Sequence, residues 1–159
     1  AANQWRIMIL FLPTMVAQIV LPILSEKSED KGSFLKIFKL NIKINALMSS
    51  LAALFVLVLS PYLMGLYGDG FDKEYLVLLV LAIATIFVSV NEVIVRTIAS
   101  KNKLWLNLGI NIVWGALQIG LTYYFVNQGH GALGLVLALL ISYAVRGVIQ
   151  LMYIKTITK

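Results

Sequence analysis

The sequence lacks the residues on which most enzyme and metal chemistry depends. It contains no cysteine and a single histidine, His130, which lies between two glycines. The absence of cysteine excludes disulfides and thiolate ligands, and one histidine cannot build a histidine-based zinc site. No serine–histidine–aspartate set, phosphate-binding glycine loop or dinucleotide-binding fingerprint is present in the sequence. We therefore expect no enzymatic activity, no metal and no cofactor.

Charge is also scarce, and apolar side chains take its place. Only 13% of the 159 residues are charged and 60% are hydrophobic, with a mean hydropathy of +0.91. A soluble domain has roughly 25% charged residues, so this chain has more apolar surface than a soluble core of its size could bury. The apolar runs are continuous and do not alternate with polar residues as in a membrane barrel. The composition predicts an all-α integral membrane protein.

The apolar sequence falls into segments that are separated by short polar breaks. Crossing the hydrocarbon core takes about 20 residues of helix, and each segment is about that long. We predict a single membrane domain over residues 1–159, built as a bundle of about five transmembrane helices. The predicted spans cover residues 7–24, 45–66, 75–98, 104–126 and 132–154.

The charges in the breaks alternate from one side of the predicted bundle to the other. Five lysines lie between residues 27 and 43, three acidic residues lie within 67–74, and two lysines lie within 101–103. The break at 127–131 carries no formal charge, and the C-terminus is basic again. The positive-inside rule therefore predicts a multi-pass protein of the cytoplasmic membrane with a cytoplasmic C-terminus. The rule also accounts for the net charge of +6 without a nucleic-acid partner. The N-terminal end is then outside, so we expect further helices upstream.

Polar residues inside the predicted helices recur at helical spacing. The stripes are Thr85, Ser89, Glu92 and Arg96 in the third helix, Asn107, Asn111, Gln118 and Thr122 in the fourth, and Ser142, Arg146 and Gln150 in the fifth. Polar groups in a membrane usually face protein or water. The stripes either form hydrogen bonds between helices or line a substrate cavity. On the second interpretation, the candidate substrate-binding residues are Arg96, Arg146, Asn111 and Gln118.

The charged members of these stripes allow more than one interpretation. Glu92 and Arg96 are one helical turn apart and can form an ion pair, although Arg96 can also extend to lipid headgroups and Glu92 is a candidate coupling-ion site. Arg146 lies well inside the fifth helix, which has no acidic residue. Its partner is therefore Glu92, a lipid headgroup or an anionic substrate, and a guanidinium suits a phosphate or diphosphate.

Four short motifs occur in the order in which they appear in a known family. They are LPILSE at 21–26, PYLMGLYG at 61–68 followed by Phe71, ASKNK at 99–103, and GALG at 131–134. Together they span nearly the whole chain. Their sequence and spacing resemble the C-terminal lobe of the O-antigen and polysaccharide flippases, which belong to a larger group with lipid II flippases and multidrug and toxin extruders.

The resemblance implies a twelve-helix transporter of two lobes, of which this chain would supply about the last five helices. The partners would be the bilayer, the missing N-terminal lobe and a lipid-linked saccharide, which alternating access would move across the cytoplasmic membrane. One alternative is a multidrug or organic-cation extruder of the same group, which should favour buried carboxylates. Another is a membrane scaffold that transports nothing.

Overall fold

The computed structural model describes residues 2–26, 31–65 and 75–158. These residues form five helices: α1 (Ala2–Glu26), α2 (Lys31–Gly65), α3 (Tyr75–Ser100), α4 (Leu104–Asn127) and α5 (Gly131–Thr158). Within these ranges, α2, α3, α4 and α5 each contain a stretch long and apolar enough to cross a membrane, and α1 is a helix of 25 residues. The predicted all-helical membrane bundle is confirmed, with four helices that meet these criteria where about five spans were expected.

Part of the first charge-bearing break and the whole of the second lie outside the described residues. Lys27 and the acidic break at 67–74, together with the last three residues of the motif at 61–68 and Phe71, lie outside the described residues. The turns at 101–103 and 128–130 are described, and each joins two helices through three residues. The contacts of Ser142 with Gln118 and of Arg146 with Asn111 show that α4 and α5 run antiparallel. The predicted alternation of α3, α4 and α5 across the membrane stays a prediction.

Helix α2 begins 14 residues before the predicted span at 45 and is 35 residues long. At 1.5 Å per residue it extends about 50 Å, well beyond a hydrocarbon core of about 30 Å. Its first turns bury Phe34 and Phe38 against the C-terminal parts of α3 and α5, where Ile98 and Ile154 belong to the same apolar cluster. The lysine-rich segment before the span is therefore packed into the bundle as a continuous part of α2.

Helix α3 is the central helix of the bundle. It contacts each of the other four helices, and nearly half of its residues are buried. A second apolar cluster packs Ile9 of α1 and Val56 of α2 against Leu78 of α3. Lipid tails are as apolar as these side chains, so close packing and interhelical hydrogen bonds of about 0.6 kcal/mol each must hold the helices together. Polar contacts at the helix interfaces therefore contribute to the stability of the bundle.

Helix α4 lies at the edge of the bundle. No residue of α4 is buried as a whole, although single polar atoms are, and its contacts are mainly with α5. Trp105 and Ile119 are 86% and 72% uncovered by protein, as expected for a surface that faces lipid. The polar stripe of α4 thus lies on the side that meets α5. The candidate site is at this interface between the two helices.

Candidate functional site

The polar stripes of α4 and α5 face each other. The Ser142 hydroxyl of α5 donates to the Gln118 Oε1 atom of α4 and to the carbonyl of Ala138. One turn further along α5, Arg146 Nη2 donates to Asn111 Oδ1 at 2.6 Å. These contacts define what we call the polar seam, which comprises Asn107, Asn111, Trp114 and Gln118 of α4 and Ser142, Tyr143, Arg146 and Gln150 of α5. Asn111 and Gln118 therefore face protein, as the spacing predicts.

Arg146 lies at the centre of the polar seam and is almost fully buried, with 6% of its surface exposed. Its guanidinium carbon lies 5.3 Å from the centroid of the Trp114 ring and 5.7 Å from that of the Tyr143 ring, and the two rings pack 5.1 Å apart. Cation–π contacts of this kind stabilise a desolvated charge by about 2 kcal/mol. In the described part of the chain, no carboxylate lies within 4.0 Å of this guanidinium. The described groups that contact it are the Asn111 amide and the two aromatic rings.

Several polar atoms of the polar seam have no hydrogen-bond partner among the described residues. They are Arg146 Nε, Trp114 Nε1, Asn107 Oδ1 and both amide atoms of Gln150, all of them buried. By the register of the Gln118 and Asn111 contacts, Gln150 lies at the level of Asn107 along α4. A buried polar group without a partner costs about 1–3 kcal/mol of stability. These groups therefore destabilise the bundle unless a further molecule forms hydrogen bonds with them.

The other predicted site residues, Glu92 and Arg96, form a separate pair on α3. Their closest charged atoms, Arg96 Nη2 and Glu92 Oε2, lie 3.9 Å apart, and the side chains are 22% and 39% exposed respectively. This is the intrahelical ion pair that the spacing permits. Of the partners considered for Arg146, Glu92 is thus paired with Arg96, and Arg146 itself donates to Asn111. The roles of Arg96 in substrate binding and of Glu92 as a coupling-ion site stay predictions.

A further cation, Arg6 of α1, was not singled out by the sequence. It falls one residue before the predicted first span, whereas the helix itself begins at Ala2. In the structure, Arg6 and Glu92 both lie within Coulombic range of the Tyr143 side chain. The Nε atom of Arg6 is buried and has no hydrogen-bond partner among the described residues. A second guanidinium thus lies near the polar seam from another helix.

The sequence also did not single out Trp114, Tyr143 or Asn91. Trp114 follows Asn111 by three residues and precedes Gln118 by four, so helical spacing alone could have placed it on the stripe. Asn91 lies off the α3 stripe, yet its Nδ2 atom donates to the carbonyl of Tyr143 at 3.1 Å and connects α3 to α5. Only the packing of α3 on α5 identifies that role.

The stripe on α3 has two parts: the ion pair of Glu92 and Arg96 described above, and the two hydroxyl residues Thr85 and Ser89. Ser89 donates to the backbone carbonyl of Asn45 in α2 at 3.4 Å, and Thr85 donates to Leu81 O in its own helix at 2.7 Å. Both side chains are buried between helices. For these two residues the structure supports the packing interpretation of the stripe, in contrast to the unsatisfied polar seam.

We also looked for a metal cluster among the described residues and compared the chain with known proteins. Among the described residues, no three His, Asp or Glu side chains are grouped so that they could hold a metal ion. Neither protein-family models, nor curated proteins, nor solved structures show a match to this chain.

Proposed function

We propose that this chain is part of a flippase that moves a lipid-linked oligosaccharide, such as an O-antigen or another polysaccharide unit, across the cytoplasmic membrane by alternating access. The four sequence motifs that resemble the C-terminal lobe of polysaccharide flippases support the proposal. On this view the chain acts together with an N-terminal lobe, and the polar seam contributes to the substrate path between the lobes.

The observation that carries the proposal is the environment of Arg146. A fixed positive charge is buried at a helix interface with an amide and two aromatic rings around it, and no described carboxylate compensates it. A buried ion without a counter-charge is costly, so such a site favours an anionic ligand. The lipid carriers of oligosaccharides supply phosphate at the point where lipid and sugar join.

The unpaired amide oxygens add a second argument. Gln150 Oε1 and Asn107 Oδ1 are acceptors without donors, and both are buried in the polar seam. Hydroxyl groups are the donors that a saccharide offers in abundance. The polar seam thus combines a cation with hydrogen-bond acceptors, which suits a glycosyl phosphate better than a hydrophobic ligand.

An organic-cation extruder fits the same residues less well. It should present a buried carboxylate to its substrate, but Glu92 is more exposed than its partner and is paired with Arg96. Arg146 is the one charged residue among the members of the polar seam, and it is a cation. The charge balance therefore favours an anionic substrate.

Reconstitution of the full-length protein into proteoliposomes tests the proposal. We expect a fluorescent polyprenyl-diphosphate oligosaccharide to move from the inner to the outer leaflet, measured as its access to an added quencher. A labelled organic cation serves as the comparison substrate. Transport of the cation but not of the saccharide would establish the extruder instead, and transport of neither would leave a scaffold.

A further inference from the structure

The polar seam presents three hydrogen-bond donors that lack acceptors. We infer that Arg146 Nε, Trp114 Nε1 and Gln150 Nε2 together bind a phosphoryl oxyanion. This inference deepens the proposed function, because it names the chemical group by which the polar seam would hold its substrate. It requires only that the donors converge, and it does not require that transport takes place.

The three donors share two properties that are seldom found together. Each is buried, and each has no partner among the described residues. Arg146 and Gln150 are one turn apart on α5, and the ring of Trp114 lies over the Arg146 guanidinium from α4. Arg146 therefore neighbours both other donors, Gln150 along α5 and Trp114 across the interface with α4.

The charge of the site selects an anion. Arg146 is always protonated, and the polar seam itself contains no acidic residue. A bridging water could accept from the donors, but it would leave the positive charge uncompensated. Hydrogen bonds from a guanidinium to an oxyanion are roughly twice as strong as those between neutral groups, so an anion stabilises this site more than water does.

The number of donors selects the phosphoryl group among anions. A carboxylate offers two oxygens in one plane, whereas a phosphoryl group offers three oxygens in a tetrahedral arrangement. Donors that come from two helices and from three different side chains match the second arrangement. Arg146 Nη2 stays bonded to Asn111, which fixes the guanidinium in place without using Nε.

Binding to the full-length protein in detergent or nanodiscs tests the inference with farnesyl phosphate as the probe. Trp114→Phe keeps the aromatic contact with Arg146 and removes only the indole N–H, and Gln150→Leu removes the amide. We expect each change to weaken farnesyl phosphate binding about tenfold, which is the loss expected for a hydrogen bond to a charged group. Trp105→Phe on the lipid-facing side of α4 and Gln128→Leu in the α4–α5 turn are the matched controls and should leave binding unchanged.

Two further ligands identify the source of the phosphoryl group. Farnesol lacks the phosphate and should not compete, and equal competition by farnesol would overturn the inference. Inorganic phosphate that competes as well as the lipid would support the oxyanion site and assign it to the free ion. Size-exclusion profiles of each variant show whether it is folded, and in folded Trp114→Phe unchanged affinity would overturn the role of the indole donor.

The outcomes for binding and transport separate the two proposals. If saccharide moves across the membrane but folded Trp114→Phe binds farnesyl phosphate normally, the site is refuted and the transport function stands. If the donors prove necessary for phosphate binding but no saccharide is moved, the transport function is refuted and the site stands.

Discussion

Replacing Arg146 with lysine changes the polar seam while keeping its charge. Lysine has no planar guanidinium, so it cannot stack on Trp114 or Tyr143 in the same way. The three N–H donors of lysine share one nitrogen atom. Lysine therefore cannot occupy the position of Arg146 Nη2, which donates to Asn111 at 2.6 Å, and the position of Nε beside an anion at the same time. Arg146→Lys therefore separates the shape of the cation from its charge.

The expected loss can be worked out from the individual contacts. The hydrogen bond from Arg146 to Asn111 between α4 and α5 contributes about 0.6 kcal/mol on average for membrane helices, and at most about 1.7. A lysine ammonium keeps part of the cation–π attraction, so the changed contact with the two rings adds only about 0.5–1 kcal/mol. We expect Arg146→Lys to lower the free energy of unfolding by about 1–2.5 kcal/mol and to leave the protein inserted. Saccharide transport should fall by a larger factor, about 10- to 100-fold, because a hydrogen bond between charged groups is lost as well.

The assay compares three forms of the full-length protein under identical conditions. Unfolding in mixed micelles measures stability, and leaflet exchange of the fluorescent saccharide lipid measures transport. Arg146→Ala is the second variant, and it leaves Asn111 Oδ1 without its donor in addition to removing the charge. We expect its stability to fall further than that of Arg146→Lys, because a buried acceptor then loses its partner.

Two results would refute this reasoning. Transport by Arg146→Lys at the parental rate would show that the planar guanidinium has no specific role in binding. Normal transport by Arg146→Ala at normal expression would remove both the binding role and the structural role, and would leave an arginine whose position has no consequence.

Three further predictions concern other parts of the bundle. Gly147→Ala should destabilise the contact between α3 and α5 by about 1 kcal/mol in an unfolding titration, because the added Cβ would lie 3.2 Å from Asn91 Nδ2, and unchanged stability would show that Asn91 can shift. Glu92→Gln should change stability by no more than about 0.5 kcal/mol, since its partner is one turn away on a partly exposed helix face, and a loss above 2 kcal/mol would reveal a further role. Cysteines at Lys103 and Gln128 should react with an impermeant reagent from opposite sides of the membrane, cytoplasmic for the first, and labelling from one side would contradict the helix topology.

Hydropathy and helical spacing predicted much of this structure. The turns at 101–103 and 128–130 fall where polar residues interrupt the apolar sequence, because a helix that leaves the membrane no longer needs apolar side chains. The 3.6-residue period likewise placed Asn111 and Gln118 on the face of α4 that meets α5. In lipid, the cost of exposing an amide leaves few other places for it.

The partners of those residues were decided by the tertiary structure. The sequence left Arg146 with three possible partners, and only the register of α4 against α5 brings Asn111 within 2.6 Å of it. The start of α2 at Lys31 depends on apolar pockets offered by α3 and α5, and the position of Arg6 near Tyr143 depends on where α1 packs. Periodicity determines the face on which a side chain lies, because it follows from the geometry of one helix. The atom that a side chain contacts depends on how two helices are aligned. That alignment cannot be read from the geometry of either helix by itself.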